Sequence, residues 1–102
     1  MTESNLEDFL ILRELDEPIT DRDLREEVDP QSTAVRRELE EEGIQVKAVE
    51  SEVLTDERGN VTGTHCHYRA ESEEAVRMHA ERAGLPISRI DRIGQALGGD
   101  FD

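Results

Sequence analysis

Residues 44–70, IQVKAVESEVLTDERGNVTGTHCHYRA, contain two strand-like stretches on either side of a turn signal. The first stretch, 44–55, is rich in valine, and the second occupies residues 61–70. Between them, DERGN at 56–60 combines acidic, glycine and asparagine residues, a composition typical of a chain reversal. The sequence therefore predicts an antiparallel β-hairpin at the centre of the chain.

A strand and a helical region are predicted before the hairpin. Residues 9–15, FLILREL, are mostly apolar and predict a buried strand. Thr20 is the predicted N-cap of a helix with acidic residues in its first turn. Asp29 and Pro30 interrupt the helical pattern, so we expect a second helical piece to begin at Pro30 and to end at Gly43.

A second helix and a last strand are predicted after the hairpin. Ser72 is the expected N-cap of a helix that Gly84 and Pro86 terminate. Residues 88–93 predict a short final strand. The resulting order, βαββαβ, indicates an α+β protein of the ferredoxin-like type, with a four-stranded antiparallel sheet and both helices on one face.

The chain length predicts a single domain with short terminal extensions. We expect this domain to span residues 9–95, with a flexible N-terminus at 1–8 and a flexible C-terminal tail at 96–102. Only 34% of the residues are hydrophobic and 3% are aromatic, so the core is expected to be small. Burial of one more apolar face would stabilise such a chain, and we therefore expect a homodimer.

The charge of the chain indicates its surroundings and excludes two classes of partner. The net charge is −14, the acidic residues are spread along the whole chain, and eleven arginines stand against the single lysine, Lys47. This pattern favours a halophilic protein adapted to high internal salt, where short screening lengths suppress self-repulsion. It argues against nucleic acid and anionic membranes as partners, since phosphate binding needs a basic face.

Cysteine content and hydropathy predict the compartment. One cysteine cannot form an internal disulfide, there is no long apolar run, and the N-terminus lacks the pattern of a signal peptide. The sequence therefore predicts a reduced, cytoplasmic protein.

The predicted third strand carries the residues best suited to metal binding. His65 and His67 are two positions apart, so both imidazoles point to the same face of the sheet. A two-residue turn in the hairpin would place Glu50 and Glu52 on that face, opposite the histidines. Two imidazoles with one or two carboxylates form a plausible open site for a divalent transition metal. The alternative is simple cross-strand pairing on a polar surface, with no metal.

A second group of candidates faces the other side of the sheet. Cys66 and Tyr68 alternate with the histidines, and His79 lies on the second helix near its apolar stripe. Cys66 and His79 could hold a soft metal or form a thiolate nucleophile. The alternative, which we favour, is a small buried cysteine and a hydrogen-bonded histidine on a helix flank.

Several stretches of the chain match a known family. They are TDRDL at 20–24, AVRREL at 34–39, Ser51, Cys66 with Tyr68, EAVRMHA at 74–80 and GLP at 84–86. On these residues the chain resembles a family of small ferredoxin-like bacterial proteins that includes nickel-binding and nickel-responsive members. The family usually has Val-His-Ser-Tyr on its second strand, where this chain has VESE at 49–52. The resemblance implies nickel as the metal, with Cys66, Tyr68 and His79 as further candidate ligands.

The combined prediction is a binding protein that uses nickel, or zinc or another divalent metal, for buffering, storage or sensing. His65 and His67 are the expected primary ligands, completed by Glu50 or Glu52; no residue is assigned a catalytic role. One alternative is a small-molecule enzyme with a pocket between sheet and helices, in which His67, Tyr68 or His79 acts as acid or base. Another is an interaction module without a ligand.

Overall fold

The structure, a computed structural model, describes residues 6–94 and has the predicted ferredoxin-like α+β architecture. The sheet is antiparallel, and its strand order is β2-β3-β1-β4. The elements in chain order are β1 (Glu7–Ile19), α1 (Asp21–Asp23), a π-helical turn (Leu24–Val28), α2 (Asp29–Glu41), β2 (Val46–Thr55), β3 (Val61–Ala70), α3 (Glu73–Ala83) and β4 (Arg89–Arg92).

The ends of the domain differ in part from the prediction. β1 begins at Glu7, inside the predicted flexible segment 1–8, because Glu7 and Asp8 pair with the end of β3. Most of the remaining predicted N-terminal segment, residues 1–5, lies outside the described residues. The same holds for the tail predicted at 96–102 and for the domain's predicted last residue, 95.

The first helical region is continuous where the sequence predicted an interruption. Its N-cap is Thr20, as predicted, and the Thr20 side chain accepts a hydrogen bond from the Asp23 backbone. The helix forms a π-helical turn at Leu24–Val28, just before Pro30, and the Asp29 N–H donates to the Leu24 carbonyl. Proline lacks an N–H and its ring crowds the preceding turn, so a wider turn lets the helix continue past it.

The hairpin between β2 and β3 has the expected strand register at its centre, although its turn is longer than expected and the strands contain register shifts. Its turn spans five residues, in which Asp56 Oδ1 accepts from the N–H groups of Arg58 and Asn60. Register shifts occur near the turn and again at Val49, which has no partner between the paired residues on either side. A β-bulge of this kind inserts one residue and restores the alternation of faces beyond it. In the central part of the hairpin, Glu50 to Leu54 therefore have the same partners on β3 that a two-residue turn would give them.

The core lies between the helices and one face of the sheet, which we call the inner face. Phe9 and Ile11 of β1 are fully buried there, together with Leu39 of α2 and Val76 of α3. The packed cluster continues with Val35, Val46, Cys66, Tyr68, Ala70 and Ala75. On the opposite face, which we call the outer face, no helix from residues 6–94 packs against the sheet. No helix among the described residues is long and apolar enough to cross a membrane.

Candidate functional site

The outer face brings together the four residues predicted as metal ligands. In the β2–β3 pairing, Glu50 lies opposite His67 and Glu52 lies opposite His65. The four side chains and Leu10 line one open depression of about 320 Å³. Directly opposite residues in an antiparallel pair have neighbouring side chains, so two imidazoles and two carboxylates border one surface site.

His67 is held in place by an acidic residue of the neighbouring strand. Its Nε2 lies 2.9 Å from Oδ1 of Asp8, and the same carboxylate lies 3.3 Å from Nε of Arg69. A carboxylate accepts hydrogen bonds, so this contact favours the tautomer in which Nε2 carries the proton. The Nδ1 atom of His67 then keeps its lone pair and is the nitrogen available to a metal.

The donor set suits a borderline divalent ion, but its members are not held together in advance. Imidazole nitrogen is a good ligand for nickel, zinc and copper, and carboxylate oxygens complete many such sites. Within residues 6–94, however, no three histidine, cysteine or acidic side chains converge closely enough to form a ready-made metal site. Binding at the outer face would therefore require side-chain rotations on exposed strands.

The second group of predicted residues lies on the inner face. Cys66 and Tyr68 line a cavity of about 240 Å³ between the sheet and the first helical region. The Cys66 thiol lies 3.4 Å from Thr64 Oγ1 and donates to it. His79 packs edge-on against the Tyr68 ring, with 5.4 Å between ring centroids. No hydrogen bond joins Cys66 to His79 among the residues that the structure describes.

His79 is fully buried and belongs to a polar network with α2. Its Nε2 lies 3.2 Å from the Ser32 carbonyl oxygen and 3.1 Å from Ser32 Oγ. A carbonyl only accepts, so Nε2 carries the proton, and the buried Nδ1 has no partner among the described residues. Burial lowers the pKa of His79 to about 4, and the nearby charges of Arg13 and Arg36 also lower it. His79 is thus a buried, hydrogen-bonded histidine that is neutral at pH 7.

Arg13 is the most unusual buried side chain. It is 3% exposed, on the inner face of β1, and its Nη1 donates to the Pro86 carbonyl at 3.0 Å. Within residues 6–94, its Nε and Nη2 are buried and have no hydrogen-bond partner. The guanidinium carbon lies 5.7 Å from the centroid of the Tyr68 ring, and Arg13 lines the inner cavity. A buried cation without an anionic partner is costly to fold.

Three residues with structural importance were not singled out from the sequence. Asp8 fell in the segment predicted to be flexible, although it shares the outer face with Leu10. Arg13 follows Phe9 and Ile11 at a period of two, which is the signal that would have placed its charge on the buried face. Ser32 precedes Val35 by three positions and so lies on the apolar stripe of α2.

The comparisons with known proteins agree with the fold. Residues 9–93 match the model of a family described as nickel responsive protein, SCO4226-like. The crystal structure of SCO4226 from Streptomyces coelicolor A3(2) aligns with a TM-score of 0.66 at 20% identity, covering 88% of this chain and 99% of that chain. At this identity the likeness shows the fold alone. No curated protein matches the sequence significantly.

Proposed function

This chain belongs to the SCO4226-like family of nickel responsive proteins, and from that premise we propose that it binds a divalent transition metal ion. Nickel is the first candidate and zinc the alternative. The proposed site is the depression on the outer face, with His65 and His67 as primary ligands and Glu50 or Glu52 completing the coordination.

One observation carries this proposal: the cross-strand pairing of two histidines with two acidic residues. The pairing holds from Glu50 to Leu54, between the bulge at Val49 and the register shift near the turn. The chain thus departs from regular strand geometry at both ends of the segment that faces the histidines. Bulges commonly re-aim side chains near functional sites.

The setting of the depression supports a binding role in buffering, storage or sensing. It is shallow and open on the exposed surface, so an ion can enter and leave without a conformational gate. Asp8 orients one imidazole in the manner of the carboxylates that support metal-bound histidines. These features suit reversible capture of an ion, and they provide no enclosed space for an organic substrate.

The test is a calorimetric titration of metal-stripped protein with Ni²⁺ and then Zn²⁺ in molar potassium chloride. The wild type is compared with the His65→Ala/His67→Ala variant and with a matched double variant, Glu40→Gln/Glu41→Gln, on the exposed end of α2. We expect saturable binding at micromolar concentration or tighter, lost in the histidine variant and kept in the control.

Two results would oppose the proposal. Binding retained in the histidine variant would move the site to the inner face, where Cys66, Tyr68 and His79 are the remaining candidates. Absence of saturable binding by either ion would leave the family membership without a metal-binding function in this chain. Protonation of imidazole should also weaken binding at low pH, which the same titration repeated at pH 5 measures.

The predicted homodimer extends this proposal. Leu10 and Leu12 are half-buried on the outer face beside the histidines, and a second copy of the chain would cover them. Sedimentation equilibrium with and without nickel tests the association. The cytoplasmic location and the halophilic character stay predictions.

The enzyme alternative has one supporting observation, the inner cavity. Its three predicted acid–base residues are nevertheless not assembled around that cavity. His67 lies on the outer face, and the Nε2 atom of His79 is occupied by Ser32. Only Tyr68 lines the cavity itself. The arrangement therefore favours binding over acid–base catalysis.

A further inference from the structure

We propose that the inner cavity binds a small organic monocarboxylate, whose carboxylate group pairs with Arg13. This site lies on the opposite side of the sheet from the proposed metal site and is independent of it. The carboxylate would carry a short apolar group, because the cavity combines one buried cation with apolar walls.

The donors of Arg13 that lack partners are the two that a carboxylate needs. Nε–H and the adjacent N–H of Nη2 point in the same direction along one edge of the guanidinium plane. Both nitrogens are buried and have no partner in the part of the chain that the structure describes, whereas Nη1, on the other side, donates to the Pro86 carbonyl. A carboxylate can accept two parallel hydrogen bonds along such an edge, in the bidentate geometry that makes arginine selective for it.

No group among the described residues supplies the missing anion. Arg13 forms no salt bridge in this part of the chain, although acidic side chains are abundant on the surface. The guanidinium carbon lies 5.7 Å from the centroid of the Tyr68 ring, and no described residue supplies a hydrogen-bond acceptor to Nε or Nη2. Since breaking or omitting one partner of a buried charge pair is strongly destabilising, an external carboxylate would stabilise the folded chain.

The cavity beside Arg13 has a suitable size and lining. Its volume is about 240 Å³, and apolar walls are contributed by Leu24, Val28, Val53 and Leu85. The hydroxyl and thiol groups of Ser51, Thr64 and Cys66 also border it. Small-molecule sites typically combine such apolar walls with a few placed polar groups.

The rim of the cavity has a balanced charge. Arg25 and Asp29 both line it and both are exposed, so neither sign dominates at the entrance. Arg25 also pairs with Asp21. The buried charge of Arg13 is therefore the feature that distinguishes a carboxylate from a neutral compound of the same shape.

One wall of the cavity is formed by the π-helical turn, through Leu24, Arg25 and Val28. Such turns interrupt regular helical hydrogen bonding and occur frequently at functional sites. Nε and Nη2 are covered in the structure, so a ligand must displace a neighbouring side chain to reach them. The π-helical turn is the segment that we expect to move when a ligand enters, because none of its residues is fully buried.

The test uses the full chain labelled with ¹⁵N and follows the Nε–H resonance of Arg13 by NMR. The probes are benzoate and hexanoate, with benzamide and hexanol as neutral analogues and inorganic phosphate as an anion without an apolar group. We expect a saturable downfield shift with the two carboxylates and a Kd below about 1 mM. The neutral analogues and phosphate should bind at least tenfold more weakly.

Two cavity variants and one control test whether benzoate binds in the cavity beside Arg13. Arg13→Lys keeps the charge but removes the paired N–H edge, and it should weaken benzoate binding at least tenfold. Because this variant lacks the Arg13 resonance, its binding is followed by the backbone amide shifts of Leu24, Val28 and Cys66, which line the cavity. Arg89→Lys, on an exposed strand away from the cavity, is the matched control and should bind normally. Val28→Trp would fill the cavity with Arg13 in place and should also abolish binding, which covers the case in which Arg13→Lys does not fold.

The outcomes decide the proposal independently of metal binding. The proposal is overturned if benzoate and benzamide bind equally well, or if phosphate binds as tightly as benzoate. It is also overturned if benzoate binding is unchanged in Arg13→Lys or Val28→Trp, or if no saturable shift is seen. The His65→Ala/His67→Ala variant should bind benzoate normally. Loss of metal binding in that variant with benzoate binding intact would confirm that the two faces act separately.

Discussion

His67 Nε2 and Asp8 Oδ1 lie 2.9 Å apart and join the outer faces of β3 and β1. In the strand pairing His67 is opposite Leu10, so Asp8 is its diagonal neighbour, within reach of a long side chain. The contact restrains the ring and leaves Nδ1 as the nitrogen available to a metal. Asp8 belongs to the part of β1 that pairs with β3 beyond the apolar run that marks the strand in the sequence.

The first prediction concerns the support that Asp8 gives to His67. Changing Asp8 to alanine should weaken nickel binding about tenfold, because partners that orient a ligating histidine typically contribute tenfold to hundredfold in metal affinity. Calorimetric titration measures the change. Arg69→Ala, which removes the other partner of Asp8, is the control and should have a smaller effect. Equal affinity in wild type and Asp8→Ala would show that His67 does not bind through an oriented Nδ1.

The second prediction concerns the pH dependence of stability from His79. Its pKa in the folded chain is about 4, below the ordinary value of 6.5, because burial and the charges of Arg13 and Arg36 disfavour the imidazolium. The unfolded chain therefore binds the proton at higher pH. The contribution of His79 to the free energy of unfolding is therefore fully present above pH 6.5. It is lost as the pH falls toward 4, by about 3 kcal/mol at most.

The measurement compares chemical unfolding of wild type and His79→Gln between pH 7 and pH 4. Glutamine can donate to the Ser32 carbonyl as Nε2 of His79 does, but it does not titrate. The acidic residues titrate in both proteins, so the difference between the two curves isolates His79. Parallel curves over this range would mean that His79 is not held neutral by its surroundings.

The sequence predicted the fold because the relevant signals are local. The apolar run of β1, the cap at Thr20, the turn at 56–60 and the helix limits at Ser72 and Gly84 each depend on neighbouring residues. Together they define the order of elements and therefore the topology. The side of the sheet on which His65 and His67 lie follows from the same period of two.

Most features that were not predicted depend on contacts between distant parts of the chain. The bulge at Val49 arises from how β2 pairs with β3. The π-helical turn is instead a local adjustment of the helix to Pro30. The partners of Arg13 and His79, Pro86 and Ser32, are far from them in sequence. No local pattern specifies such pairs, so the buried polar network emerged only from the structure.

The third prediction is that Gly63 cannot be replaced by alanine. A Cβ at this position would collide with the carbonyl oxygen of Arg13 and would approach Glu14 Cα to 3.3 Å. The obstacle is backbone of the paired strand, which cannot rotate away. We expect Gly63→Ala to lower the free energy of unfolding by about 3 kcal/mol or more. Gly94→Ala, where a Cβ meets no atom within 4 Å, is the control and should change little.

The fourth prediction concerns the stability cost of Arg13. Replacing it with methionine removes a buried charge that has no anionic partner within residues 6–94, while keeping a similar volume. The Pro86 carbonyl that loses its donor belongs to an exposed residue and can bond to water. We expect Arg13→Met to unfold at the same denaturant concentration as wild type or at a higher one. Its free energy of unfolding should exceed that of wild type by up to about 2 kcal/mol. Strong destabilisation would mean that the contacts with Tyr68 and Pro86 compensate the charge in the free protein.

The last prediction concerns salt. With a net charge of −14, repulsion among surface carboxylates should lower stability in dilute buffer, and screening should restore it as the Debye length falls to about 3 Å at 1 M salt. We expect the free energy of unfolding to rise between 0.1 and 3 M potassium chloride. Chemical denaturation at each salt concentration measures it.

Salt also strengthens apolar burial, so a variant must separate screening from that effect. Glu40 and Glu41 are exposed in the last turn of α2, which contains no basic residue of its own to offset the helix dipole. Glu40→Lys/Glu41→Lys should stabilise the chain in dilute buffer, and this gain should fall by at least half in 3 M potassium chloride. A gain that is independent of salt, or a wild-type stability equal in dilute and molar salt, would contradict the halophilic interpretation of the sequence.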